Sequence, residues 1–368
     1  MRVLIIGNND TGLYLFRREI IVELINLGHK VFASVPDGRD SSRIQLLGCP
    51  VIKADMDRRG INPIHDIKLL FAYRKIIKSV KPDMVITYTI KPNVYGGYLC
   101  RRKRIPYAVN ITGLGTAFQN DGLLKLFVTF LYRIGLKRAK VVFFENEENR
   151  QTLIHNKITT EKQSCLMPGA GVNVETYPLS PYPADNEITR FLFMGRVMKE
   201  KGIDELFTAM HRLHEDQVQC KLTVLGSYEE DYAERVKKYS QEGWLDYKGF
   251  QEDVKPFIEQ SHCFVLPSWH EGMANTNLEC ASMGRPVITS NIHGCLEAVE
   301  NGVSGFLCNK QDADDLYRVM KEFVGLSYEQ RKEMGLAGRK RMEELFDKRV
   351  VVQKTMDRLF DHKTCITD

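Results

Sequence analysis

Pro267-Ser268-Trp269-His270-Glu271-Gly272-Met273-Ala274-Asn275-Thr276-Asn277-Leu278-Glu279 is the stretch that decides how this chain is read. It follows the apolar run Cys263-Phe264-Val265-Leu266, a strand pattern that ends at Pro267 because proline cannot donate to a ladder. It leads into a helical pattern, capped by Asn275 or Thr276 and carrying Leu278, Ala281, Ser282 and Met283, which Gly284 stops ahead of Pro286. Glu271 then stands in the loop above the strand and Glu279 about one turn inside the helix. A helix start attracts anions, because its first N–H groups lack intrahelical partners and the macrodipole is positive there. Gly272, Met273, Ala274 and Asn275 form the turn that presents those amides. One carboxylate can hold a hydroxyl pair while the helix end holds phosphate. The pattern fits a ligand that carries both.

A second segment of the same type lies upstream. Phe191-Leu192-Phe193-Met194 reads as a strand, Gly195-Arg196-Val197-Met198-Lys199-Glu200-Lys201-Gly202 as a glycine-bounded loop, and Ile203, Leu206, Phe207 and Met210 as one helix face. Arg196 offers a planar donor fork and Lys201 a mobile point charge, a combination suited to a diphosphate. Two cations in a loop are ordinarily a solvated basic turn. Their company with Glu271 and Glu279 shifts the balance.

Together these segments resemble the glutamate-x7-glutamate and G-R-x-x-x-x-K-G signatures of the retaining glycosyltransferases of family 4, which have the GT-B fold. The resemblance implies that Glu271 contacts a donor sugar, Glu279 binds ribose hydroxyls, and Arg196 and Lys201 with Gly195 bind the diphosphate and stabilise its departure. It also implies base contacts at Gly249 and Phe250, and a loop near the donor phosphate at Gly12. Lys91-Pro92-Asn93 and Thr112-Gly113-Leu114-Gly115 resemble a bacterial branch that builds capsular, exopolysaccharide or lipid-linked saccharides. The histidine that many members carry in the second of these loops is absent, so no histidine role transfers. Lys91, Asn110, Thr112 and His270 are the candidates for acceptor or sugar contacts. The implied donor is a UDP-sugar such as UDP-GalNAc, UDP-GlcNAc or UDP-Gal, and the implied acceptor a polyprenyl-diphosphate-linked saccharide. No cofactor and no metal is expected.

The rest of the chain alternates strand and helix patterns, implying an α/β fold with parallel sheets. Strands are expected at Val3–Ile6, Val31–Val35, Met84–Tyr88, Tyr107–Ile111 and Val141–Phe144, then again from Phe191 through Leu222–Leu225, Cys263–Leu266 and Val287–Ser290. A turn-rich passage from Pro168 to Asn186 separates the two series. The expected organisation is a Rossmann-like domain over 1–170 joined by a terminal helix at 348–368, a linker at 171–187, and a second Rossmann-like domain at 188–347. Such a pair of doubly wound domains should place ligands at the carboxyl ends of the strands, in a cleft between them. Gly7-Asn8-Asn9-Asp10-Thr11-Gly12 is not a G-x-G-x-x-G loop, which disfavours a dinucleotide enzyme.

With 368 residues, 43% hydrophobic and 27% charged, the composition is that of a globular chain. No stretch reaches the roughly 20 apolar residues of a membrane helix. Met1–Gly7 reads as a first strand and not a signal peptide, and nine scattered cysteines without C-x-x-C suit a reducing, cytoplasmic setting. His211 and His214 lack a third partner for a metal. Charge is uneven: residues 1–180 hold 27 Lys and Arg against 15 Asp and Glu, and residues 181–368 hold 25 against 32. The excess gathers at Arg101–Arg104 and around Lys125, Arg133, Lys137, Arg138 and Lys140, flanking the apolar run Leu123–Tyr132. A basic, apolar-rich helix can lie peripherally on the anionic inner face of a plasma membrane, each cation adding on the order of 1 kcal/mol. Burial of residues 123–131 in the domain core is the competing reading. Nucleic acid is the rival partner, but no recognition motif accompanies the basic run.

Three other functions are weighed against transfer. Asp55-Met56-Asp57 has the form of a metal-binding pair of another sugar-transferase fold, though it precedes Arg58-Arg59-Gly60 in a connecting loop and leaves the second domain's loops unexplained. A UDP-sugar epimerase of the same fold would act without an acceptor. A non-catalytic nucleotide-sugar-binding module would bind without turnover.

Overall fold

The computed structural model describes residues 1–55, 63–115, 118, 122–184 and 188–360. They form two compact units, Met1–Ala170 with the segment beginning at Arg349, and Gly171–Lys348.

The first unit is built on a seven-stranded parallel sheet. Its strands are β1 (Arg2–Ile6), β2 (Lys30–Val35), β3 (Val51–Lys53), β4 (Met84–Tyr88), β5 (Tyr107–Ile111), β6 (Val141–Phe144) and β7 (Ser164–Leu166), in the spatial order β3-β2-β1-β4-β5-β6-β7. The central strands are apolar almost throughout because helices cover both faces, and β4 and β6 are buried at every position. One face packs Leu4, Ile6, Val85 and Val109 against the helices Pro63–Val80, Gly97–Lys103 and Leu123–Leu136. The other packs Val3, Ile5, Ala33 and Ile86 against the Asp10–Asn26 helix and against Val351, Met356 and Leu359 of the Lys348–Phe360 helix.

The second unit repeats the plan with six parallel strands. These are β8 (Thr189–Met194), β9 (Cys220–Leu225), β10 (Leu245–Gly249), β11 (Cys263–Leu266), β12 (Val287–Ser290) and β13 (Gly305–Cys308), in the order β10-β9-β8-β11-β12-β13. In both sheets the order reverses beside the first strand, the topological switch point where loops at the carboxyl ends diverge. Arg285 ties the segment of Ser180 and Pro181 to the rest of this unit. Fully buried, it donates to the carbonyls of Ile258, Ser180, Met283, Pro181 and Glu259. Burial lowers its pKa to about 10, yet these acceptors still satisfy the charge.

The sequence pattern places β4, β5, β6, β11 and β12 at their observed bounds. Short β3 and β7 escape it, since three residues show no periodicity. The first helix starts at Asp10, where the Asn9 side chain caps it by accepting from the Gly12 N–H. The outer side of Leu123–Leu136 is not core: Leu123, Leu126, Phe127 and Phe130 are exposed, while Thr129, Tyr132, Gly135 and Leu136 face inward. Met56, Asp57 and Arg58–Gly60 lie outside the described residues; Asp55 is exposed beside Lys53 at 3.6 Å. The eight described cysteines are buried and free.

Candidate functional site

Three loops of the second unit are sewn together at the carboxyl ends of β8, β9 and β11. The backbone approaches require glycine. A Cβ on Gly226 would lie 1.8 Å from the Gly195 carbonyl oxygen, and one on Gly202 would lie 2.0 Å from that of Pro267. Gly202 also holds φ +72°, which favours glycine. Along the seam the Trp269 N–H donates to Glu200 O at 3.0 Å, and the Trp269 indole N–H to Glu205 at 3.1 Å. Ser268, buried, donates its hydroxyl to Glu271 Oε1 at 2.8 Å. Lys201 completes the set with a charge-assisted hydrogen bond to the same Glu271 oxygen. Lys201 and Glu271, chosen from separate motifs, therefore meet.

Arg196 does not join that pair in this structure. Its half-exposed side chain points toward Glu229, 3.7 Å away, an exposed contact of little intrinsic strength. His270 turns to Glu200 at 3.6 Å, on the flank of the loop.

The helix carrying the second glutamate runs Asn275–Ser282. Its N-cap is Ala274 and no side chain caps it, so Asn275 and Thr276 are the first helical residues and not the cap. The Ala274 N–H is committed to Gly294 O at 2.7 Å and is not presented to an anion. Gly294 itself is pressed against Glu271, where an added Cβ would lie 2.6 Å from the Glu271 carbonyl oxygen. Glu297 fixes this third wall, accepting from the Gly294 N–H at 2.7 Å and pairing with His293 Nδ1 at 2.8 Å. Met273 is buried beneath the turn, and Gly272 is partly exposed. Asn275 Oδ1 is buried with no hydrogen-bond partner among the described residues. Burial pushes the Glu279 carboxyl up to about 7, with a hydrogen bond from Tyr177 and the charge of Lys348 only partly offsetting the desolvation.

Gly249 ends β10 at φ +65° and its carbonyl accepts from the Gly226 N–H at 2.8 Å; Phe250 beyond it is 60% exposed. Beside them the rings of Tyr228 and Tyr247 stack at 4.6 Å, and Tyr247 donates to Gly226 O at 2.8 Å. Sequence reasoning missed Ser268, Tyr177, Lys348 and this aromatic pair. Ser268 was visible beside Glu271; the others are brought in by the fold alone.

In the first unit, the Gly12 N–H is taken by Asn9 and is not offered to a phosphate. Asp10 organises this loop instead, accepting from the Thr11 and Asp40 N–H groups and the Ser41 hydroxyl. Lys91 forms an ion pair with Asp66 at 2.7 Å. Asn110 donates to Thr87 O at 3.2 Å and lines a small recess with the buried Arg17–Glu145 pair. Thr112 follows β5, partly exposed. Between Lys91 and β4, Thr89 holds φ +73°, an uncommon conformation for a β-branched residue, and one turn of π-helix, Pro92–Gly96, follows. Lys91 and Asn110 thus share the strand ends of one sheet.

Among the described residues no group of three or more His, Cys, Asp or Glu is arranged to hold a metal ion. No helix among them is long and apolar enough to cross a membrane.

Known proteins match at both levels. The family model for glycosyl transferases group 1 matches residues 181–341, and that for glycosyl transferase 4-like proteins matches residues 2–146. The N,N'-diacetylbacillosaminyl-diphospho-undecaprenol alpha-1,3-N-acetylgalactosaminyltransferase of Campylobacter jejuni is 24% identical over 98% of both chains. The UDP-Gal:alpha-D-GlcNAc-diphosphoundecaprenol alpha-1,3-galactosyltransferase of Escherichia coli is 26% identical over 71% of each. HepE of Anabaena, crystallised with UDP and glucose, shares the fold at a TM-score of 0.79 and 16% identity, covering 98% of this chain and all of that one. The two family models between them take in most of the chain, one on each sheet, and the chain belongs to the group 1, family 4-like glycosyltransferases of GT-B fold.

Proposed function

We propose that this protein transfers a hexose or N-acetylhexosamine from a UDP-sugar to a saccharide carried on polyprenyl diphosphate, with retention of configuration and without a metal, at the cytoplasmic face of an anionic membrane. The observation that carries the reading is the seating of Lys201 on Glu271 beside a helix start that no side chain caps. Relatives whose names specify diphospho-undecaprenol acceptors support the acceptor class.

In this reading the donor diphosphate lies against Lys201 and the first turn of the Asn275–Ser282 helix, with Arg196 swinging from Glu229 to join it. These positive groups face the place where negative charge grows as the sugar–phosphate bond breaks. The bonding pair leaves with UDP, and the acceptor oxygen bonds to the same face of the anomeric carbon. The acceptor's proton passes to a departing phosphate oxygen, so no second carboxylate is required. Glu271, held by Ser268 and Lys201, orients the donor sugar; His270 flanks it. Glu279 accepts from the ribose hydroxyls, and Gly249 and Phe250 frame the base. Lys91, Asn110 and Thr112 face the acceptor.

Incubation with labelled UDP-sugars and a polyprenyl-diphosphate-linked saccharide tests this. The expected outcome is an extended, α-configured product in the presence of chelator. Interconversion of donor without acceptor would indicate an epimerase; donor binding with no turnover on any acceptor would indicate a binding module.

A further inference from the structure

Two helices of the first unit expose large apolar side chains on matching arcs. On Pro63–Val80 these are Ile64, Ile67 and Phe71; on Leu123–Leu136 they are Leu123, Leu126, Phe127 and Phe130. All seven are between 53% and 86% exposed. Each set recurs at three- and four-residue spacing, so each occupies one side of its helix. The inward sides of both, Leu69, Tyr73 and Ile76 on one and Tyr132 and Leu136 on the other, enter a single apolar cluster. Both helices also pack against the Pro92–Gly96 turn, so they lie on the same face of the sheet.

Their orientation is fixed by topology. A helix connecting parallel strands runs back antiparallel to them, so its first turns stand at the carboxyl end of the sheet. The exposed apolar residues occupy those first turns in both cases. Most of the cations follow behind, Arg74, Lys75 and Lys78 on the first helix and Arg133, Lys137 and Arg138 at the end of the second and just beyond, while Lys68 and Lys125 stand among the leading turns. No acidic residue occurs between Leu123 and Phe144, and the one acid of Pro63–Val80, Asp66, is turned inward onto Lys91.

We infer that this two-helix face docks on an anionic lipid bilayer, the apolar leading turns entering the interface and the trailing cations meeting the headgroups. An apolar patch on a monomer is also what a second copy would cover, but the cations crowd the same face, so a copy of itself would set like charges together. An anionic surface matches both features at once. The inference rests on the proposed lipid-linked acceptor only for its purpose: Lys91, paired with the first turn of one docking helix, would then meet an acceptor headgroup as it leaves the lipid.

Flotation of the full chain with vesicles tests it, using phosphatidylglycerol mixed into phosphatidylcholine and phosphatidylcholine alone. The expected result is at least tenfold stronger binding to the anionic vesicles, weakened by salt. The double variants Ile67→Glu with Phe71→Glu, and Leu126→Glu with Phe127→Glu, should each cut binding at least tenfold while keeping the parent's melting temperature. Absence of vesicle binding, or binding that ignores either pair, overturns the two-helix face. So does a concentration-dependent dimer in sedimentation that either pair dissolves. Turnover on a short-chain, water-soluble acceptor should persist in both variants. If vesicles bind but no acceptor is extended, the transfer reading fails and the docking face stands.

Discussion

Lys201 and Glu271, separated by 70 positions, share a hydrogen bond that also recruits Ser268. In the proposed reading the contact makes the cation that meets the diphosphate and the carboxylate that orients the sugar one unit. Substitution of Lys201 by Met should therefore lower kcat by roughly 10²–10³-fold, with a smaller rise in donor KM, because the charge acts mainly on the departing diphosphate. Steady-state kinetics with UDP-sugar checks this; turnover close to the parent's would remove Lys201 from the mechanism.

Ser268→Ala removes one of the donors to the Glu271 oxygen, leaves the Lys201 bond in place, and should cost about 1 kcal/mol, read as roughly a fivefold fall in kcat. Ser268→Thr, which keeps the hydroxyl, should restore part of it. Equal activity in all three proteins would make the contact incidental.

Gly202→Ala forces a Cβ to within 2.0 Å of the Pro267 carbonyl oxygen at φ +72°. The loops must part, at about 2–4 kcal/mol from strain and overpacking together. A lowered Tm with near-complete loss of transfer is expected. Gly243→Ala, whose added Cβ meets nothing within 4 Å, serves as the control for positive φ alone.

Glu279 sets a pH dependence. Its folded-state pKa of about 7 lies above the ordinary carboxylate value of 4.5, so the folded protein holds an extra proton between these values. Its contribution to stability is present below 4.5 and lost as pH rises through 7. Ribose hydroxyls donating to the carboxylate favour its ionised form, so UDP binding near pH 6 should release a proton. Calorimetry in two buffers of different ionisation enthalpy reads that release, and Glu279→Gln should abolish it. Identical heats in both buffers for the parent protein would contradict the assigned ribose contact.

Arg285→Met removes the donor to at least five carbonyls and should destabilise the second unit by about 3–5 kcal/mol. Thermal melting should show the loss, and donor affinity measured well below the melting point should change far less.

Much of the site was legible because each motif is a local strand–loop–helix junction. Cys263–Leu266, the turn after it and the helix holding Glu279 follow from apolar runs, Pro267 and Gly284, and the Gly195–Gly202 loop follows likewise. Caps were less legible: Asn9 takes up the Gly12 amide and Gly294 takes up that of Ala274, choices made by neighbouring loops. For the run at Leu123–Tyr132, composition left burial and exposure open. Packing against the Pro92–Gly96 turn decided which side went inward.

The order of residues alone determined two parallel α/β sheets and the loops that bear Arg196, Lys201, Glu271 and Glu279, since periodicity and chain breaks act over a few neighbours. Tertiary structure decided that Lys201 reaches Glu271 while Arg196 rests on Glu229, and that Tyr177 and Lys348 surround Glu279. Those outcomes depend on strands β8 and β11 lying side by side and on desolvation by remote segments, and both arise only when the chain closes on itself.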